Sequence, residues 1–119
     1  MRLFISGSAP LLTSTFDEFA ARTGHRILER YGMSETGMIT SNPLHGERLA
    51  GTVGYALPGV DVRVLADGKV APPGTVGGVE VRGPNVFAGY WQMPEKTAAE
   101  FTADGYFRTG DLGSMDADG

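Results

Sequence analysis

Arg2-Leu3-Phe4-Ile5-Ser6-Gly7-Ser8-Ala9-Pro10-Leu11 is the stretch whose reading decides the fold. Leu3-Phe4-Ile5 reads as the end of a buried strand, and Ser6 to Pro10 as a turn of small residues. Leu12, Phe16, Phe19 and Ala20 then recur at helical spacing and form one apolar stripe. Thr15 and Glu18 have the spacing of a capping box, with Ser14 a rival N-cap. Gly24 is a natural stop just past the helix. Ile27-Leu28 begins a short strand that ends near Tyr31. Strand, turn, helix and strand in that order predict a parallel α/β unit.

Composition shifts after Ser41, which divides the chain into 1–41 and 42–119. From Thr52 onward the pattern is β. Val60, Val62 and Val64 point one way, Asp61 and Arg63 the other. Asp67-Gly68 is a hairpin turn and Pro72-Pro73-Gly74 a second turn. Val79-Glu80-Val81-Arg82 alternates again, and Pro94 opens a short helix running to about Phe101. Asp104-Gly105 turns the chain into a last strand at Tyr106-Phe107-Arg108. The chain starts inside a strand and stops in the turn Asp116-Ala117-Asp118-Gly119, so both ends read as cut.

The 119 residues carry 18 glycines and 7 prolines, spread without a Gly-X-Y period, which excludes collagen and a flexible linker. Net charge is −4 with no basic cluster, so no nucleic-acid partner is expected. Cysteine is absent, which excludes disulfide scaffolds and thiolate metal sites and fits a cytoplasmic setting. No run approaches the roughly 20 apolar residues of a transmembrane helix.

Three segments carry candidate chemistry. In Tyr31-Gly32-Met33-Ser34-Glu35-Thr36-Gly37, hydroxyls flank a carboxylate after a glycine that admits close backbone approach. Hydroxyls suit phosphate oxygens, and a carboxylate can hold Mg²⁺ beside them. Ser-Glu-Thr-Gly can equally start or end a helix, and taken alone the cap is favoured. In Tyr106-Phe107-Arg108-Thr109-Gly110-Asp111-Leu112-Gly113, Asp111 could accept the paired hydroxyls of a ribose or close an Asx-turn on its own backbone. Gly83-Pro84-Asn85-Val86-Phe87-Ala88-Gly89-Tyr90-Trp91 reads as a kinked strand with an aromatic cluster on a core. His25 and His45 stand alone, and Arg48 reads as a solvated surface arginine rather than a carboxylate partner.

Together, in this order and spacing, the segments resemble the adenylate-forming (AMP-binding) superfamily. Tyr31 to Gly37 resembles its Tyr-Gly-x-Ser/Thr-Glu signature, and Gly78 to Trp91 the stretch that holds its Arg-Gly-Pro-x-x-x-x-Gly-Tyr-Trp run. Thr109-Gly110-Asp111 resembles its ribose-binding motif. Ser6 to Leu11 resembles its adenine loop, with serine for the first glycine. The runs Arg2–Leu11, Gly46-Glu47-Arg48 before Gly51-Thr52-Val53-Gly54, and Met93–Ala98 are most like the malonyl-CoA synthetase branch.

The resemblance implies an α/β fold: the end of an α/β subdomain followed by much of the β-rich subdomain of the family's large domain. It implies ATP, Mg²⁺ and coenzyme A, with a malonate-like carboxylic acid as substrate. Glu35 would be the Mg²⁺ ligand and Ser34 would bond the α-phosphate, with Thr36 a polar neighbour. Ser8, Ala9 and Pro10 would wall one adenine face and Tyr31 would stack on the other. Asp111 would hold the ribose, and Gly7, Met33 and Met38 would border the acyl pocket. The family's Ser/Thr/Gly-rich phosphate loop and acyl-adenylate-forming lysine are missing, since Lys69 and Lys96 stand in other contexts. The implied reading is a ligase fragment, inactive alone and partnered by the remainder of the enzyme. Another adenylate-forming branch, such as a fatty acyl-CoA ligase or peptide-synthetase adenylation domain, shares the same motifs. A non-catalytic β-rich binding module is the reading from a different class.

Overall fold

In the computed structural model, which describes residues 2–119, the chain divides between Leu57 and Pro58. Up to Leu57 it forms strand β1 (Ile5–Ser6), helix α1 (Thr13–Thr23), and strands β2 (Leu28–Met33), β3 (Gly37–Ser41) and β4 (Tyr55–Ala56). These strands make a sheet in the order β1-β2-β3-β4. β1 and β2 run parallel, as expected of strands joined through a helix, and the other pairs are antiparallel. Phe16 on α1 and Ile27, Leu28 and Ile39 on the sheet side are buried. Phe4 meets Phe19 edge-on at 4.9 Å.

Gly24 closes α1 at φ 73°, its N–H bonded to the Ala20 carbonyl at 2.9 Å. A left-handed residue there costs glycine nothing. The predicted capping box does not form. α1 starts at Thr13, with Leu12 at the cap position and no side-chain cap. The path out of the Ser8–Pro10 turn sets the helix start, so Ser14 and Thr15 already lie inside the first turn. Glu18 pairs with Arg22 instead, at 2.6 Å on the exposed face. The buried first strand is also corrected. β1 is a two-residue edge strand, and Ile5 is 49% exposed.

Residues 42–57 stay with this first unit, although composition shifts at Ser41. Buried Asn42 is the reason. Its backbone N–H and its Nδ2 both donate to the Glu29 carbonyl, and Nδ2 also reaches the Thr52 carbonyl at 2.9 Å. Its Oδ1 accepts from the Leu49 N–H. Arg48 is not a solvated arginine. Its guanidinium donates to the carbonyls of Arg26 (2.6 Å), Leu44 (2.8 Å) and Pro43 (3.2 Å), bracing this loop.

From Pro58 the chain forms β5 (Asp61–Ala66), β6 (Lys69–Val70), β7 (Gly77–Arg82), helix α2 (Pro94–Glu100) and β8 (Phe107–Gly113). The sheet order is β6-β5-β7-β8, antiparallel throughout. Asp67 and Gly68 take φ 51° and 74°, the two positive values that a tight hairpin of this hand requires. Val64, Val81 and Phe107 form the core. Phe87 packs on Tyr90, Phe101 and Phe107, with ring centroids 4.9, 6.1 and 5.4 Å away. The aromatic cluster expected of Gly83–Trp91 therefore exists, but the kinked strand does not. This stretch is loop, because Pro84 lacks a ladder donor and Gly89 takes φ 155°. Trp91 stands outside the cluster, 85% exposed.

The other face of this sheet carries a charge ladder. Arg63 bonds Glu80 at 2.7 Å and grips Asp104 with two nitrogens at 2.7 and 3.2 Å, while lying 3.8 Å over the Tyr106 ring. The Arg63 hydrogen bond, helped by the Thr102 hydroxyl, lowers the Asp104 carboxyl to about 2. A carboxylate depressed in the folded state adds stability above its unfolded value, near 3.8, and loses it as pH falls toward 2. The full-length protein should therefore lose thermal midpoint between about pH 4 and pH 2, and Asp104→Asn should flatten that limb of a melting series. An unchanged limb would mean that the pair is too exposed to matter.

Candidate active site

The β2–β3 hairpin places the first candidate segment. β2 bulges between Tyr31 and Gly32, and beyond the bulge Gly32 faces Met38 and Met33 faces Gly37. The Thr36 N–H donates to the Met33 carbonyl at 3.1 Å, closing the turn over Ser34 and Glu35. Thr36 is fully buried, and its hydroxyl donates to the Gly37 carbonyl at 2.9 Å. Gly37 leaves the turn at φ 61°. Ser34-Glu35-Thr36-Gly37 is thus a hairpin tip and not a helix cap. Cross-strand pairing of Tyr31 and Thr40 outcompetes the local capping pattern. Ser34 is exposed at the tip, and Glu35 beside it is half-buried. Gly32 has to be glycine, since an added Cβ would strike the Gly37 carbonyl oxygen and lie 2.9 Å from Met38 Cα.

The Ser6–Pro10 loop lies beside this hairpin. The parallel register pairs Ser6 with Glu29. A Cβ on Gly7 would sit 3.4 Å from the Arg30 carbonyl oxygen, so Gly7 is level with Arg30. Continuing that register brings Ser8 level with Tyr31. Ser8 turns the chain away at φ 67°, and Gly7, Ser8, Ala9 and Pro10 are all exposed. Tyr31 and Met33 are half-buried, and Met38 is 38% exposed. Gly7–Pro10, Tyr31, Met33, Ser34, Glu35, Thr36 and Met38 are therefore gathered in one unit.

Asp111 belongs to the other unit, on β8, and is exposed. Gly110 before it takes φ 80°. The Thr109 hydroxyl donates to the Val79 carbonyl at 2.8 Å and accepts the Asp111 N–H at 3.1 Å. The structure adds Asn42 to what the motifs indicated, and it gives Thr109, already the first residue of the Thr-Gly-Asp motif, its hydrogen-bonding partners. Glu29, two residues before Tyr31 on β2, is a buried carboxyl whose Oε1 has no hydrogen-bond partner. Burial pushes it above the usual carboxylate range, against the pull of the Gly51 N–H.

Among the described residues, no three His, Asp or Glu side chains gather as a metal site. Glu35 offers one half-buried carboxylate on a hydrogen-bonded turn, an oxygen donor of the kind that fits Mg²⁺. No helix of the described residues is long and apolar enough to cross a membrane.

A parallel βαβ unit that ends in a Ser-Glu hairpin beside a small-residue loop, followed by a β-rich unit, is the order expected of the adenylate-forming fold. Residues 1–91 match the AMP-binding enzyme family, and the chain belongs to it. It is 49% identical over 119 residues to a malonate–CoA ligase of Arabidopsis thaliana, covering 100% of this chain and 19% of that one. The crystal structure of ATP-bound MatB from Rhodopseudomonas palustris superposes with a TM-score of 0.96 at 62% identity, covering 100% of this chain and 24% of that one. A malonyl-CoA ligase in a ternary product complex with methylmalonyl-CoA and AMP matches at 50% identity and a TM-score of 0.89, covering 99% of this chain and 25% of that one. The chain thus spans about a fifth to a quarter of the length of these relatives.

Proposed function

We propose that, within the full-length protein, this chain forms part of an ATP-dependent acid–CoA ligase that converts malonate to malonyl-CoA through an acyl-adenylate. The observation that carries this reading is likeness to malonate–CoA and malonyl-CoA ligases along the whole chain. One malonate carboxylate oxygen attacks the α-phosphorus, and pyrophosphate leaves with the electrons of the broken P–O bond. The sulfur of coenzyme A, giving up its thiol proton, then attacks the acyl carbon, and AMP departs with the electrons of the broken C–O bond.

The chain's own contribution is positioning and electrostatics. Ser8, Ala9 and Pro10 wall one face of adenine, and Tyr31 stacks on the other. The exposed Ser34 hydroxyl donates to an α-phosphate oxygen. Mg²⁺ held by Glu35 would supply neutralising charge to the phosphates. Thr36 serves this nucleotide face through the turn it locks. Asp111 accepts the ribose hydroxyls, and Gly7, Met33 and Met38 border the acyl group. The remainder of the ligase completes the site, and a cysteine-free chain suits a cytoplasmic setting.

ATP–pyrophosphate exchange on the full-length protein tests the reading. Exchange that depends on malonate is expected, with methylmalonate a weaker partner, since one methyl group changes affinity by only about 10-fold to 200-fold. Exchange driven by an amino acid or a long-chain fatty acid, and not by malonate, would place the protein in another branch.

A further inference from the structure

β7 and β8 pair out of step at one point. Gly78 faces Leu112 and Glu80 faces Arg108, so the register shifts around Val79. Shifts of this kind leave a backbone group without its ladder partner and re-aim the strand. Here the carbonyl of Val79 is taken by a side chain, the Thr109 hydroxyl, at 2.8 Å. The Thr109 hydroxyl oxygen in turn accepts the Asp111 N–H at 3.1 Å. A threonine hydroxyl has one proton to give and lone pairs to receive, so it can serve both partners at once. Gly110 between them is left-handed at φ 80°, with open space where a Cβ would stand. The backbone of residues 109–111 is therefore tied at both ends through one oxygen, and that backbone sets the direction in which the Asp111 carboxylate leaves β8.

We infer that Thr109 is a positioning residue: its hydroxyl, bridging the Val79 carbonyl and the Asp111 N–H across the irregular β7–β8 register, aims Asp111 at the ribose of ATP. This inference rests on the ribose role proposed for Asp111. Valine in place of Thr109 keeps the branched shape and removes the bridge. In the full-length ligase, Thr109→Val should raise the KM for ATP about tenfold, the worth of roughly one hydrogen bond, while the KM for malonate stays within about twofold. Thr109→Ser restores the hydroxyl and should return the ATP value to near that of the parent. Asp111→Asn should raise the ATP KM by itself, and adding Thr109→Val to it should change little, because the misaimed group is already disabled.

Equal rises in both Michaelis constants, or additive effects in the double variant, would reduce Thr109 to a fold residue and overturn the inference. Failure of both Thr109→Val and Thr109→Ala to fold, where Thr109→Ser folds, would overturn it in the same way. A strong Asp111→Asn effect beside a silent Thr109→Val would refute the positioning role alone. A silent Asp111→Asn would refute the ribose reading beneath it.

Discussion

On the proposed reading, Glu35→Gln in the full-length protein is expected to cut malonate-dependent adenylate formation by about 10²–10³, the usual loss when one preorganised electrostatic group is removed from a transition state. The amide keeps the size of the side chain and one oxygen, but loses the charge that a hard divalent cation prefers. The fold should not register the change. The turn that carries Glu35 is closed by the Thr36 N–H on the Met33 carbonyl and by the Thr36 hydroxyl on the Gly37 carbonyl. A thermal midpoint equal to that of the parent, together with lost exchange, is therefore the expected pair of results. Undiminished exchange at ordinary Mg²⁺ would remove Glu35 from the site. Loss of both activity and midpoint would make it a turn residue.

Where local chemistry decides, the sequence was legible. Gly24 needs its left-handed backbone, Asp67-Gly68 makes its hairpin, Pro94 opens its helix, and Val62 and Val64 alternate with Asp61 and Arg63. Each of these depends on the residue itself and its immediate neighbours. The misses share a different cause. Thr15 and Glu18 have capping-box spacing and Ser14 is a rival N-cap, yet the path out of the preceding turn starts α1 earlier. Ser34-Glu35-Thr36-Gly37 reads as a cap until Thr40 is seen opposite Tyr31. The shift in composition at Ser41 marks no boundary, because Asn42 reaches back to Glu29. Arg48 seemed a surface charge because its three carbonyl partners are contributed by the loop's own fold and by Arg26. Tertiary contact outranks local pattern in every one of these. The candidate site divides likewise. Its polar residues stand in recognisable motifs, but what holds them, Thr36 beneath the tip and Thr109 behind Asp111, is visible only in the hydrogen bonds.

Two glycines of the same hairpin should respond very differently to alanine, for separable physical reasons. At Gly32 a Cβ would collide with the Gly37 carbonyl oxygen, 2.9 Å from Met38 Cα and 2.6 Å from Met38 Cε. The methionine methyl can swing away, but the backbone opposite cannot yield without opening the bulge. Because the obstruction is backbone, the cost falls at the upper end of the usual overpacking range, about 3 kcal/mol, and the displacement falls on the strand end that carries Ser34 and Glu35. At Gly37 nothing lies within 4 Å of the added carbon, and the penalty is only that of φ 61° in a residue with a side chain. That is about 1–2 kcal/mol, with the hairpin contacts left in place. In the full-length protein Gly32→Ala should therefore lower the denaturation midpoint more than Gly37→Ala, and it alone should lose most of the malonate-dependent exchange. Chemical denaturation and exchange on both variants decide the matter. If Gly32→Ala proved as mild as Gly37→Ala in both measurements, the close approach of β2 and β3 at the bulge would not be what holds the Ser34-Glu35 tip in place.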